Sequence, residues 1–241
     1  MSGHSKWSQI KRQKAVTDGK RSNLFTKLGN TIAVAVKEGG KDPDSNFRLR
    51  MAIDKAKASN MPNDNIKRAI KRGAGEIEGV IIEKVVYEGF GPAGVAIIIE
   101  ATTDNKNRTA AAIRNILTKH GGNLGGNGSV AWMFDKKGVL RVANEDVVDK
   151  DALELSLIDA GADEIITEDE GMLIYAPAQQ LPALKKALEE QNIAPASAEV
   201  EMVPQNKIVV RDARDQKKLE KISEELERDD DVSNYFTNAD V

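Results

Sequence analysis

GVLRV at 138–142, EIIT at 164–167, MLIY at 172–175 and AEVEMV at 198–203 are short runs rich in apolar and β-branched residues, the composition of strands. Between the first two, 146–160 reads as a helix with Val148, Ala152 and Leu155 on one face, and Leu181, Leu184 and Leu188 mark a second helix before the last run. Asp169-Glu170-Gly171 turns the second run back onto the third. The order is βαββαβ, that of a ferredoxin-like α+β domain.

Toward higher numbers, 207–210 reads as a strand, a helix follows with Leu219, Ile222 and Leu226 inward, and a strand lies near 232–236. Toward lower numbers, 80–88 and 95–102 are β-like, 106–119 is a helix with Ala110, Ile113 and Leu117 inward, and 129–134 is a strand. These two flanks complete a second α+β domain, 77–135 plus 205–241, with 136–204 inserted between its halves. Residues 1–76 are helical. Leu24, Leu28, Ile32 and Val36 fall four apart and Gly39-Gly40 stops that helix. A second helix turns Leu49, Ala52, Ile53 and Ala56 inward; a third opens at Pro62, buries Ile66, Ala69 and Ile70, and stops at Gly73. The predicted class is α+β: a three-helix basic domain followed by two α+β domains.

Composition narrows the chemistry. Hydrophobic residues are 40% and charged residues 30% of 241, a globular balance. The absence of cysteine excludes disulfides, thiol catalysis, Cys-ligated zinc and iron–sulfur clusters. His4 and His120 lie far apart in sequence, so neither a metal site nor a catalytic triad has its ordinary parts. Met1 to Lys6 lacks the apolar core of a secretory signal, and stretches such as 95–99 are too short to span a bilayer. The expectation is a cytoplasmic protein without enzyme activity, cofactor, metal or membrane partner.

The net charge of −3 hides a split. Residues 1–75 hold 17 Lys and Arg against 6 Asp and Glu; residues 76–241 hold 18 against 32. A basic N-terminal third points to a polyanion. Its expected contacts are Lys6, Trp7, Lys11, Arg12, Lys14, Lys20 and Arg21 in a basic arm over 1–22 that precedes the first helix, Arg48, Arg50, Lys55 and Lys57 on the second helix, and Lys67, Arg68, Lys71 and Arg72 on the third. Within 45–75 only Asp54 and Asp64 accompany these bases, unlike an ordinary solvated helix face. Aromatic residues are too few there for a single-strand stacking platform, so backbone reading of duplex DNA or folded RNA fits better. Trp7 either stacks on a base or partner, or simply packs. The tight Ser59-Asn60-Met61-Pro62 connection is compatible with a helix-turn-helix frame.

Three further motifs carry bland readings beside sharper ones. The glycine run 121–128 lacks the GK[ST] ending of a phosphate loop and reads as a flexible connector. At 103–109, Thr103 or Asp104 caps a helix, or Asn107 and Arg108 form a secondary contact for RNA or protein. The acidic runs 168–170 and 229–231 read as solvated turns.

Gly3-His4-Ser5-Lys6-Trp7, Ile10-Lys11, Lys20-Arg21, Phe25-Thr26-Lys27, the run from Leu49 to Lys57, Asn60-Met61-Pro62, Asp64-Asn65-Ile66, Tyr87-Glu88-Gly89, Thr103-Asp104-Asn105, Asn107-Arg108-Thr109 and Gly128 to Phe134 together resemble the YebC/PmpR family, in order and over nearly the whole chain. The resemblance implies three domains, the last inserted into the middle one, and no enzyme activity. It implies either a regulator binding promoter DNA or, as for the related mitochondrial translational activators, a factor that helps ribosomes through sequences such as proline runs. The chain departs from that pattern at Gly29-Asn30-Thr31, where a bulky apolar residue, Arg and Glu are usual, and at Phe47, where a small residue or proline is usual.

The reading is therefore a non-enzymatic nucleic-acid-binding regulator of gene expression, a DNA-binding transcriptional regulator. The alternative is a ribosome-associated translation factor that relieves stalling. Its partners are duplex DNA or ribosomal RNA for the basic third, and basic ribosomal or transcription proteins for the acidic domains.

Overall fold

The structure, a computed structural model, describes residues 18–77, 82–144, 147 and 149–240, with side chains from Arg21 onward. The chain forms two compact units: Phe134–Gln205, and the described residues on either side of that segment.

The larger unit opens with α1 (Asp18–Gly39), α2 (Phe47–Ala58) and α3 (Asn63–Gly73). The predicted apolar stripes meet: Leu28, Ile32 and Val36 of α1 pack on Leu49, Ala52, Ile53 and Ala56 of α2 and on Ile66 and Ala69 of α3. Asn46 caps α2 by accepting the Leu49 N–H, while its amide NH₂ donates to Ala35 and Gly40 carbonyls, each at 2.8 Å. Pro62 is the cap of α3 and not its first residue.

The sheet of this unit is β1 (Glu83–Phe90), β2 (Ala96–Thr103), β3 (Asn123–Leu124) and β9 (Val232–Thr237), in the order β3-β1-β2-β9 and antiparallel throughout. One face buries Val95, Ile97 and Ile99 beneath α4 (Lys106–Lys119) and α7 (Ala213–Arg228), which supply Ile113, Leu117, Leu219, Ile222 and Leu226. Helix α1 contacts β2 and β9. A short parallel pair joins β8 (Ile208–Val209) to β10 (Ala239–Asp240).

The smaller unit runs β4 (Phe134–Ala143), α5 (Lys150–Asp159), β5 (Glu164–Glu168), β6 (Gly171–Pro177), α6 (Leu181–Glu190), β7 (Ser197–Pro204). Its sheet order, β5-β6-β4-β7, places the first strand beside the third and fourth, the ferredoxin-like arrangement read from the sequence. Arg141 and Glu201 lie buried on this sheet and form a two-pronged pair at 2.6 and 3.1 Å.

Two expectations fail here. The strand foreseen at 129–134 is a 3₁₀ turn at Ala131–Met133, and β4 begins only at Phe134. The helix foreseen at 146–160 starts at Lys150, where Asp149 accepts the Ala152 N–H, and it buries Leu153 and Leu157 while Ala152 and Leu155 face solvent. Two apolar stripes compete in that sequence, and a start at Lys150 leaves position 148 outside the helix, so the stripe at 148, 152 and 155 loses its first member. Val148 lies outside the described residues.

Candidate nucleic-acid interface

Helix α3 carries a basic exposed face. Ile66 and Ala69 turn inward, which leaves Lys67, Arg68 and Lys71 exposed on the opposite side. None of the three makes an ion pair or hydrogen bond among the described residues, so their charged ends face solvent. They line a groove of about 520 Å³ together with Lys41, Asp64 and Glu76. Lys41 Nζ donates to Glu76 Oε1 at 2.6 Å. That bond, then the Lys41 charge and more weakly Lys71, holds the Glu76 carboxyl below the usual carboxylate range.

The other predicted contacts divide into groups. Arg72 leaves the exposed set: it is half-buried and its guanidinium donates to Asn30 Oδ1 at 2.8 Å. Burial, then the charge of Arg68, lowers its pKa. Arg48 is exposed and pairs with Glu38 at 2.7 Å. Arg50 donates to the carbonyls of Pro43 and Asp44, both at 3.1 Å, and so staples the turn before α2. Lys57 and Arg21 are exposed, and Lys55 is half-buried. Lys20 falls within α1, but its side chain, like Lys6, Trp7, Lys11, Arg12 and Lys14, lies outside the described residues.

The secondary pair separates. Asn107 is exposed, whereas Arg108 is bound at home, to Asp104 at 2.7 Å and Asp231 at 2.9 Å. The residue capping α4 is Asn105, which accepts the Arg108 N–H, and neither Thr103 nor Asp104; Thr103 Oγ1 accepts the Asn105 N–H instead. The Thr109 hydroxyl lies 2.7 Å from Asp231 Oδ2. Asp231 is thus not part of a solvated turn: it ties the start of α4 to the junction of α7 and β9.

Sequence reasoning also missed Lys27, Glu88 and the glycine loop. Lys27 Nζ donates to the Glu227 carbonyl at 2.7 Å, tying α1 to α7. Burial lowers its pKa, opposed by the charges of Asp229, Asp230, Glu227 and Asp231. Segment 121–128 is no loose connector: the buried Glu88 carboxylate accepts the N–H groups of Gly128, Val130 and Ala131 at 2.6, 2.8 and 2.8 Å. Burial pushes the Glu88 carboxyl up, but the three N–H donors outweigh it and the net shift is downward. The loop holds an anion after all, the chain's own. The turn that follows it, Ala131–Met133, presents an exposed Trp132, whose indole N–H donates to the Ser129 carbonyl at 3.2 Å. Among the described residues there is no group of three or more side chains able to hold a metal ion, and no helix long and apolar enough to cross a membrane.

Fold and surface together define a class: a three-helix region with a cationic helix face, followed by α+β structure that includes a ferredoxin-like unit. The profile of the TACO1/YebC N-terminal domain matches residues 5–76, and that of the TACO1/YebC second and third domains matches residues 82–239. The chain belongs to the TACO1/YebC family. A protein of Halothermothrix orenii named "Probable transcriptional regulatory protein" is 52% identical over 242 residues, covering 100% of this chain and 96% of its own. One of Chlorobaculum parvum with the same name is 49% identical, covering 100% and 96%. The crystal structure of a conserved hypothetical protein from Aquifex aeolicus superposes with a TM-score of 0.86 at 40% identity, covering 94% of this chain and 93% of that one.

Proposed function

We propose that this protein is a non-enzymatic, nucleic-acid-binding regulator of gene expression that acts on transcription in the cytoplasm. Residues 1–76 are its nucleic-acid-binding domain, 77–135 plus 205–241 its middle domain, and 136–204 the inserted one. The observation that carries the reading is the row of three solvent-facing, unpaired cations, Lys67, Arg68 and Lys71, on α3. Such a row can neutralise backbone phosphates and supplies affinity without base reading. The names of the relatives agree with a regulatory role.

The test replaces Lys67, Arg68 and Lys71 by Glu and leaves Arg72, which holds Asn30, in place. Binding to duplex DNA at low salt is expected to collapse with the melting temperature unchanged. The log–log salt slope of any residual binding is expected to fall by up to about 2.7, from three contacts of roughly 0.9 each. An unchanged dissociation constant refutes the reading.

One observation favours a second reading, a ribosome-associated translation factor that relieves stalling. The chain pairs a basic third with an acidic remainder, and RNA and basic proteins lie side by side on a ribosome. Sedimentation of tagged protein from gently lysed cells, with separate DNase and RNase arms, separates the two. Co-migration with ribosomal particles that survives DNase but not RNase selects translation; retention on chromosomal DNA until DNase is added selects transcription.

A further inference from the structure

We infer that the groove at the C-terminal end of α3 is a seat for one backbone phosphodiester, and that Glu76 occupies this seat in the free protein and must yield it for full binding. The inference rests on the nucleic-acid reading above and assigns to Glu76 a negative influence on it.

Two helix stops build the seat. At the end of α1, Gly40 takes φ +86° and its N–H donates to the Val36 carbonyl at 2.8 Å, which delivers Lys41 immediately after the stop. At the end of α3, Gly75 takes φ +73°; its N–H donates to the Arg72 carbonyl at 3.1 Å and the Glu76 N–H to the Lys71 carbonyl at 2.9 Å. This is the bonding pair of a Schellman motif, and it fixes the backbone of Glu76 one residue past the left-handed position. Lys41 and Glu76 therefore meet because of where the backbone stops, not because two flexible side chains found each other.

The charges around that meeting point are unequal. Lys41, Lys67, Arg68 and Lys71 face the groove, and only Asp64 and Glu76 oppose them. Ile70 and Ile77 contribute apolar lining at the same place, a surface suited to the sugar that accompanies a phosphate. The Lys41–Glu76 bridge is exposed on both sides, and an exposed ion pair contributes little. A phosphate can displace the carboxylate at small cost and acquire Lys41 in addition to the three unpaired cations. Glu76 stays ionised across the ordinary pH range because its carboxyl lies below the usual value, so its screening of the groove is permanent until a competing anion arrives.

The test uses the full chain and two labelled probes, a duplex DNA and an RNA hairpin, titrated by fluorescence anisotropy at several salt concentrations. Glu76→Gln keeps the side-chain shape and removes the charge. It is expected to tighten binding by about five-fold at low salt, the scale of one surface ion pair. On the duplex it should steepen the log–log salt slope by about 0.9, one phosphate more. Lys41→Gln should weaken binding, and the double variant should lose the steeper slope. Tightening on both probes identifies the phosphodiester itself as the ligand; tightening on one alone also supports the seat and names its source. If wild-type binding is lost on replacing Lys67, Arg68 and Lys71 by Glu, yet Glu76→Gln leaves affinity and slope unchanged or weakens binding, the seat is refuted while the basic face stands. If that triple replacement leaves binding intact, the nucleic-acid reading falls first and the seat falls with it.

Discussion

Gly29 sits in the interior of α1, where glycine is a poor helix former. A Cβ there would lie 3.7 Å from the Met61 methyl and 3.9 Å from Ala69 Cβ and Arg72 Nη2, ordinary contact distances. Gly29→Ala is therefore expected to stabilise by about 0.5–1 kcal/mol and to raise the melting temperature by roughly 1–4 °C, read by thermal unfolding. Its neighbour behaves oppositely. Asn30 is buried and accepts from Arg72; Asn30→Leu strands that guanidinium and is expected to cost about 1–3 kcal/mol. Glu88 has a pH signature. Its folded carboxyl titrates below the ordinary value of 4.5, so its contribution is fully present above about pH 4.5 and is lost as pH falls through the lower folded value. Urea titrations of wild type and Glu88→Gln are expected to differ most near neutrality and to converge in acid; a gap that stays constant with pH would show that the carboxylate charge is not the cause. None of these roles was legible in the sequence. Glu88 is one acid on a strand, and its partners are backbone groups some forty residues on, which carry no residue-type signal. Asn30, which stands where an Arg is usual in the family pattern, is the group that holds Arg72.

Among the elements, the periodic helices were the most legible. The apolar stripes of α1, α2, α3 and α7, and the limits of α4, follow directly from spacing, because burial demands one face per helix. Helix α5 was read on the wrong face because two apolar stripes overlap in its sequence, and the helix buries Leu153 and Leu157, which spacing alone did not single out. The basic surface was legible in composition but not in pairing: spacing alone could not tell the solvent-facing Lys67, Arg68 and Lys71 from Arg72, which turns inward to Asn30. The start of α4 makes a matching test. Asp231 receives Arg108 and lies beside Thr109, so Asp231→Asn and Arg108→Ala are both expected to lower the unfolding midpoint in urea without changing nucleic-acid affinity at low salt. A variant at Arg108 that folds with wild-type stability yet binds more weakly would restore it as a contact residue.

At the scale of the whole molecule, Phe134 opens β4 and pairs with Pro204, which closes β7. The smaller unit thus begins and ends on neighbouring strands. Residues 134–205 produced alone are expected to unfold cooperatively, and the remainder, joined by a short Gly/Ser linker, to bind duplex DNA as the full chain is proposed to; circular dichroism and anisotropy measure the two. Loss of affinity on excision would mean that the smaller unit takes part in binding. This layout was readable because βαββαβ is a complete set, needing no strand from elsewhere. What could not be read was where β4 starts, since the turn at Ala131–Met133 is imposed by Glu88.

The pairing of β2 with β9, Ile97 opposite Thr237, sets a schedule for synthesis. While the chain is being made, the ferredoxin-like unit has all its strands by Pro204, but the other sheet still waits for its partner, as does the packing of α1 against β9. A nascent chain must be extended past Thr237 before the larger unit can close. The basic helices emerge early, long before α7 and β9 arrive to anchor α1, so an unfinished copy exposes its cationic surface without the architecture that normally frames it.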